Sequence, residues 1–94
     1  MERDIERYFV KKAKENNALA FKFSSPSNSG VPDRLVIRSD GSVEFVELKK
    51  KGEKPRPLQL QVFRILEVFY GQTVTIIDSK KQVDEYWRQR RGTS

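Results

Sequence analysis

The 94-residue sequence contains neither cysteine nor histidine. Without cysteine the chain cannot form disulfides, zinc–thiolate sites or thiol nucleophiles, and we expect a reducing, cytoplasmic setting. Without histidine it lacks imidazole metal ligands, the commonest general base and any Ser-His-Asp chemistry. Any catalysis must therefore use Asp, Glu, Lys, Tyr or Ser side chains, or a hard metal ion bound through oxygen.

Long apolar runs are also missing. No segment approaches the roughly 20 apolar residues that a membrane-spanning helix needs, and no apolar signal segment opens the chain. The length predicts one domain over residues 1–94, with a basic C-terminal end at about 88–94. The chain has 19 basic and 13 acidic residues, for a net charge of +6, which indicates a polyanionic partner such as nucleic acid.

Hydrophobic periodicity predicts a small α/β domain, an α+β mixed sheet flanked by helices. A strand–helix–strand crossover after residue 49 favours parallel pairing there, beside an antiparallel hairpin. In the first helix Ile5, Phe9 and Ala13 form the apolar stripe, and Val83, Tyr86 and Trp87 would dock the last helix. The predicted order is helix (2–16), strand (19–23), strand (34–38), strand (43–49), helix (58–70), strand (73–78) and a last helix opened by a Ser79–Gln82 capping box.

The hairpin allows its register to be predicted. A three-residue loop over 39–41, with Gly41 in the left-handed conformation, would pair Arg38 with Ser42 and hence Asp33 with Glu47. A two-residue turn would mix the apolar and polar faces. Two carboxylates placed side by side repel each other, so we expect a positive charge nearby. The favoured register gives one apolar face, made by Leu35, Ile37, Val43 and Phe45.

Hard anionic oxygens gather at the far end of that face. Asp33, Glu47 and the backbone carbonyl of Leu48 form a ligand set that suits Mg²⁺ or Mn²⁺. In the first helix, Glu2 projects along the middle of the apolar stripe and Glu6 at its edge, so either could add a third carboxylate. An acid at a helix start also suits the helix dipole, so a purely structural role for Glu2 stays open.

Two further polar residues fall beside these acids. Lys49 follows Glu47 on the same strand face, where it could position or deprotonate a water and stabilise a phosphoryl transition state. Gln59, near the start of the second long helix, is predicted to point inward and to orient Lys49 or a water.

Together, Gly30-Val31-Pro32-Asp33, Glu47-Leu48-Lys49 and Gln59 resemble the PD-(D/E)xK, or restriction-endonuclease-like, nuclease superfamily. Within it, the chain is similar to the virus-type replication–repair nuclease (VRR-NUC) domain. The resemblance implies an α-β-β-β-α-β core, here with an extra C-terminal helix. It also implies metal ligation by Asp33, Glu47 and Glu2, a catalytic Lys49 and an accessory Gln59.

The resemblance further implies a Mg²⁺-dependent DNA endonuclease, with Mn²⁺ able to substitute, and neither a nucleotide cofactor nor a membrane partner. Stand-alone members of this size are similar to phage-encoded homodimeric nucleases that act on branched DNA such as four-way junctions. Larger relatives are DNA-repair enzymes. The alternatives are a catalytically silent nucleic-acid-binding module on the same fold, or a nuclease with a restriction-type or single-strand substrate.

Basic residues outside this motif are candidate DNA contacts, because lysine and arginine bind phosphates. They fall in the proline-containing loop after Lys49 and in the C-terminal cluster, although the cluster could equally be a solvated tail. The candidates are Lys50, Lys51, Lys54, Arg56, Arg88, Arg90 and Arg91.

Overall fold

The computed structural model describes the chain over residues 2–89 and the side chains over residues 4–89. This part of the chain forms a four-stranded sheet with three helices, in the predicted order. None of these helices is both long and apolar enough to cross a membrane. The elements are α1 (Glu2–Glu15), β1 (Leu19–Lys22), β2 (Arg34–Ile37), β3 (Val43–Leu48), α2 (Pro57–Tyr70), β4 (Val74–Ile77) and α3 (Lys80–Arg88).

The sheet has the order β1-β2-β3-β4, antiparallel except for the parallel pair β3–β4. Leu35 lies opposite Phe45 in the hairpin, as the predicted register requires. Gly41 has φ 88°, and the Arg38 amide donates to the Ser42 carbonyl at 2.9 Å, which closes the three-residue loop. The predicted hairpin register is therefore confirmed.

The main core lies on one face of this sheet, under α1 and α3. Phe9 is fully buried, and its ring centroid lies 5.5 Å from that of Tyr86 and 5.1 Å from that of Trp87. Ser79 caps α3 by accepting from the Gln82 amide, while the Gln82 side chain accepts from the Asp78 amide instead of closing the predicted box on Ser79. The residues that the sequence places in this core are all buried: Ile5, Phe9, Ala13, Val83, Tyr86 and Trp87.

The opposite face of the sheet is covered only in part, by α2. Gln59 and Phe63 are the buried residues of that helix, whereas Phe69 and Tyr70, one or the other of which helical periodicity predicts at the end of its apolar stripe, are 75% and 69% exposed. Tyr70 lies two turns after Phe63 on the same side of the helix. The C-terminal end of the apolar stripe is thus left largely uncovered by the described chain.

Strand β1 shows the same incomplete cover. Leu19 and Phe21 alternate with Ala20 as predicted, but it is the small Ala20 that packs against the core. Leu19 and Phe21 face the α2 side and remain about half exposed. The alternation in the sequence therefore identified the strand, whereas its larger side chains point away from the main core.

Candidate active site

Asp33, directly before β2, and Glu47, on β3, lie side by side and are held by reciprocal backbone contacts. The Asp33 amide donates to Glu47 Oε1 at 3.1 Å, and the Leu48 amide donates to Asp33 Oδ1 at 3.2 Å. Each carboxylate is therefore fixed by the backbone of the other residue's strand. Glu47 is only 3% exposed, and a buried carboxylate is tolerated only when partners satisfy it.

Lys49 and Gln59 supply those partners at the other oxygen of Glu47. Lys49 Nζ lies 3.2 Å from Glu47 Oε2, and Gln59 Nε2 donates to the same oxygen at 2.8 Å. Gln59 Oε1 accepts from the Arg56 amide at 2.9 Å, so the amide group can only present its NH₂ end to Glu47. The expected positive charge is thus Lys49, and Gln59 points inward as predicted.

Gly30 has a role that the sequence motif alone did not explain. A Cβ atom at this position would lie 2.6 Å from Val62 Cγ2 and 3.1 Å from the Leu58 carbonyl oxygen. Only glycine lets the chain pass this close to α2 before entering β2, and the following Pro32 is fully buried. The contact fixes the approach of Asp33 to the helix that carries Gln59.

Arg34 connects the first helix to the strand that carries Asp33. Its Nη2 lies 2.9 Å from Glu6 Oε2, and its Nη1 donates to the Ala20 carbonyl at 3.2 Å. Sequence reasoning missed Arg34, although a basic residue on the core-facing side of a strand is a signal of a buried ion pair. Glu6 is engaged by this pair, while the side chain of Glu2 lies outside the described residues. The choice between them as a ligand stays a prediction.

Comparison with known proteins gives the family of this chain. No protein-family model matches it. A protein of Acyrthosiphon pisum secondary endosymbiont phage 1, named "Putative nuclease p44", is 42% identical over 79 residues, which is 84% of each chain. A solved structure described as "VRR_NUC domain" superposes with a TM-score of 0.86 at 32% identity, covering 94% of this chain and 95% of that one. The chain belongs to the VRR-NUC family. The predicted family and fold are confirmed.

The VRR-NUC site can be tested for its fit to a metal ion. In the part of the chain that the structure describes, no group of three or more His, Cys, Asp or Glu residues is placed to hold a metal. Asp33 and Glu47 are therefore two adjacent carboxylates, with the Leu48 carbonyl between Glu47 and Lys49 in sequence. Such hard oxygens fit Mg²⁺ or Mn²⁺, and a first-helix acid, Glu2 or Glu6, would add the third carboxylate.

The candidate DNA contacts fall at two ends of the VRR-NUC domain. Lys50, Lys51, Lys54 and Arg56 are exposed in the loop between β3 and α2, directly after Lys49. Arg88 is exposed at the end of α3, near the Tyr86 and Gln89 carbonyls that accept from Arg38. Arg38 follows Asp33 by five strand residues, or about 17 Å. Arg88 is thus distant from Asp33, and Arg90 and Arg91 lie outside the described residues.

Proposed function

We propose that this VRR-NUC protein is a Mg²⁺-dependent DNA endonuclease that hydrolyses phosphodiester bonds with selectivity for branched DNA. The observation that carries the proposal is the buried Glu47 carboxylate, which meets the Asp33 amide, the Lys49 ammonium and the Gln59 amide at 2.8–3.2 Å. Nuclease activity also agrees with the name of the phage relative.

The acidic and basic side chains of the site have different roles. Asp33 and Glu47 would hold the metal, which when bound supplies a Lewis acid that polarises the phosphate and lowers the pKa of a water. The Lys49 side chain is only 12% exposed, so water screens its positive charge little. Its ammonium group would stabilise the negative charge that develops on the phosphate in the transition state. Gln59 keeps Glu47 in place as a positioning residue.

Selectivity for branched DNA, such as four-way junctions or flaps, rests on the likeness to stand-alone VRR-NUC proteins of this size. It is supported by the described part of the chain, where a four-stranded sheet and three helices leave little room for an insertion that reads base edges in the major groove. A restriction-type or single-strand substrate is the alternative. A cleavage panel of single-stranded, duplex, flap and four-way-junction DNA separates these substrates.

A homodimer is part of the proposal, and the partly covered side of the sheet supports it. Large apolar side chains are exposed on this side of the molecule, on strands that α2 does not cover and on α2 itself, and exposed apolar surface of this kind marks protein interaction sites. We call this surface the open apolar face. Its members are Leu19, Phe21, Val43, Ile65, Val68, Phe69, Tyr70 and Ile76, each 38–75% exposed.

The catalytic assignment is tested with Asp33→Ala and Lys49→Ala, assayed for cleavage with and without Mg²⁺. We expect each variant to lose at least about 100-fold in rate, as expected when a charged transition-state contact is removed. Lys81→Ala, on the exposed side of α3, is the control and should cleave normally. Calorimetric titration with Mn²⁺ should show binding by Lys49→Ala and weakened binding by Asp33→Ala.

Two results would contradict the proposal. Metal-dependent cleavage that persists in both variants would remove Asp33 and Lys49 from the site. A wild-type protein that binds DNA, cleaves no member of the panel and shows no Asp33-dependent Mn²⁺ binding would instead be the silent nucleic-acid-binding module.

A further inference from the structure

Helix α1 carries a row of basic residues that the proposed chemistry does not use. Arg7, Lys11 and Lys14 are spaced four and three residues apart, so they lie along one side of the helix. All three side chains are exposed. We call them the α1 ridge. Like charges at this spacing repel each other by a few tenths of a kcal/mol per pair, so the row is slightly unfavourable for the helix alone.

An open groove of about 540 Å³ runs beside the α1 ridge. Both of its acids are already engaged: Glu6 pairs with Arg34 at 2.9 Å, and Glu15 pairs with Lys12 at 3.3 Å. Four basic side chains and these two acids line the groove. The groove is therefore positive overall. It is lined by Glu6, Arg7, Val10, Lys11, Lys14, Glu15 and Arg34.

The α1 ridge begins close to the candidate active site. Arg7 is next to Glu6, whose partner Arg34 directly follows Asp33 in the chain. Because consecutive strand residues point to opposite faces of the sheet, Asp33 lies on the α2 side, whereas Arg34 and the ridge lie on the α1 side. The basic loop over residues 50–56 lies toward β4, since the Gly52 amide donates to Asp78, just after β4, at 3.1 Å. Positive charge thus lies both in the loop that follows Lys49 and on the α1 side of the sheet behind Asp33.

The length of the α1 ridge matches a short run of nucleic-acid backbone. Seven helical residues separate Arg7 from Lys14, a rise of about 10 Å. Phosphates follow one strand of a duplex at about 3.4 Å of axial rise each, so the ridge spans about three base-pair steps. A duplex arm that leaves the site over β1 would bring its phosphates along these residues.

We propose that the α1 ridge and its groove bind the phosphate backbone of a duplex DNA arm beside the cleavage site. This proposal rests on the proposed nuclease function and adds to it the face over which the substrate lies. Contacts of this kind position the DNA and carry no sequence information, which is consistent with selection of substrate by shape.

The test compares Lys11→Gln/Lys14→Gln with the control Arg64→Gln/Lys81→Gln, in which both substituted residues are exposed and lie on α2 and α3. Each variant removes two positive charges, so the change in net charge is identical. Affinity for a four-way junction is measured by fluorescence anisotropy in EDTA, between 50 and 200 mM KCl. For the ridge variant we expect the slope of log K against log salt to fall by nearly two, because each phosphate that is no longer neutralised lowers it by about 0.9.

Cleavage provides the second readout. The ridge variant should show a raised KM for DNA and an unchanged rate at saturation, because Lys11 and Lys14 do not touch the reacting groups. Equal salt slopes in the ridge and control variants would overturn the proposal and make the ridge an ordinary solvated helix face. If the wild type binds DNA but cleaves nothing, a slope reduced only in the ridge variant still supports this proposal, while the nuclease function alone fails.

Discussion

Glu47 is the residue through which the other groups of the site are held in place. Its two oxygens accept from the Asp33 amide and the Gln59 side chain and contact the Lys49 ammonium, all within 3.2 Å. Removing any one partner leaves a buried charge less well satisfied, which costs more than the loss of an ordinary exposed hydrogen bond. Effects of substitution should therefore be largest at groups that contact Glu47.

Gln59→Ala tests whether a contact with Glu47 is required for cleavage. Loss of the 2.8 Å hydrogen bond should loosen Glu47 and lower the cleavage rate about 10–100-fold, as for other residues that orient a metal-binding carboxylate. The Mg²⁺ concentration for half-maximal rate should rise, and stability should fall by about 1–2 kcal/mol. Cleavage rates across a Mg²⁺ series and urea unfolding measure these effects.

Gln61→Ala is the matched control, because Gln61 is exposed on the same helix and should behave as wild type. A Gln59→Ala protein that is destabilised but keeps both its rate and its Mg²⁺ dependence would show that Gln59 is only a structural residue.

Helix α3 is attached to the hairpin by a network at the end of the sheet remote from Asp33. Tyr86 donates its hydroxyl hydrogen to the buried Glu44, and Arg38 Nε donates to the same carboxylate at 3.1 Å. The Arg38 guanidinium also lies 4.7 Å from the Tyr86 ring centroid and 5.0 Å from that of Trp87. Burial, with a smaller effect of Glu44, raises the pKa of Tyr86 well above its ordinary 10.0.

The raised pKa of Tyr86 in α3 predicts that folding stability falls at alkaline pH. Above about pH 10 the unfolded chain releases the Tyr86 proton, whereas the folded protein retains it until its higher pKa is reached. Stability contributed by this group is complete below pH 10 and falls as pH rises, by at most about 1.4 kcal/mol per pH unit. Tyr86→Phe should lose about 1–3 kcal/mol at pH 8 but show a shallower further loss at pH 10.5.

Urea unfolding at the two pH values measures this difference. Gln61→Ala is the control, since Gln61 is exposed and carries no titratable group, so its replacement should leave the pH dependence as in wild type. Parallel stability curves for wild type and Tyr86→Phe would contradict the predicted role of the buried phenol.

The whole molecule leaves one side of its sheet partly open, and this surface carries the proposed dimerisation. Val68 and Phe69 are 68% and 75% exposed on α2. The wild type should therefore elute at twice its 11.0 kDa chain mass in light-scattering chromatography. Val68→Asp/Phe69→Asp should shift it to the monomer, because the change places two charges in an apolar interface.

Lys81→Asp changes the net charge by the same amount on α3 and should stay dimeric. A wild-type protein that is monomeric at all concentrations would refute the dimer. A double-aspartate variant that remains dimeric would show that subunits associate through another surface.

Local sequence patterns were sufficient for the order of elements and for the pairing of Asp33 with Glu47. The hairpin register follows from the three-residue loop and from the need to keep one face apolar, both of which are short-range constraints. The inward direction of Gln59 follows from helical periodicity in the same way. The direct contact of Gln59 with Glu47 depends in addition on how α2 packs, which periodicity does not specify.

The errors and omissions share a physical cause. Phe69 or Tyr70 was expected in the apolar stripe of α2, because periodicity shows which face of a helix is apolar, but it does not show whether the protein's own chain covers that face. Gly30 and Arg34 were missed as structural contacts because each depends on a partner distant in sequence, Val62 for the glycine and Glu6 for the arginine.

By itself, then, the sequence determined the strand register, the two adjacent acids, the lysine on their face and the absence of histidine or cysteine chemistry. These properties depend on residue type and on alternation along a strand or around a helix. The tertiary structure alone decided that Glu6 is engaged by Arg34, that Gln59 holds Glu47, and that α2 leaves an apolar face uncovered. Those outcomes depend on distances between separate elements, which are set by packing.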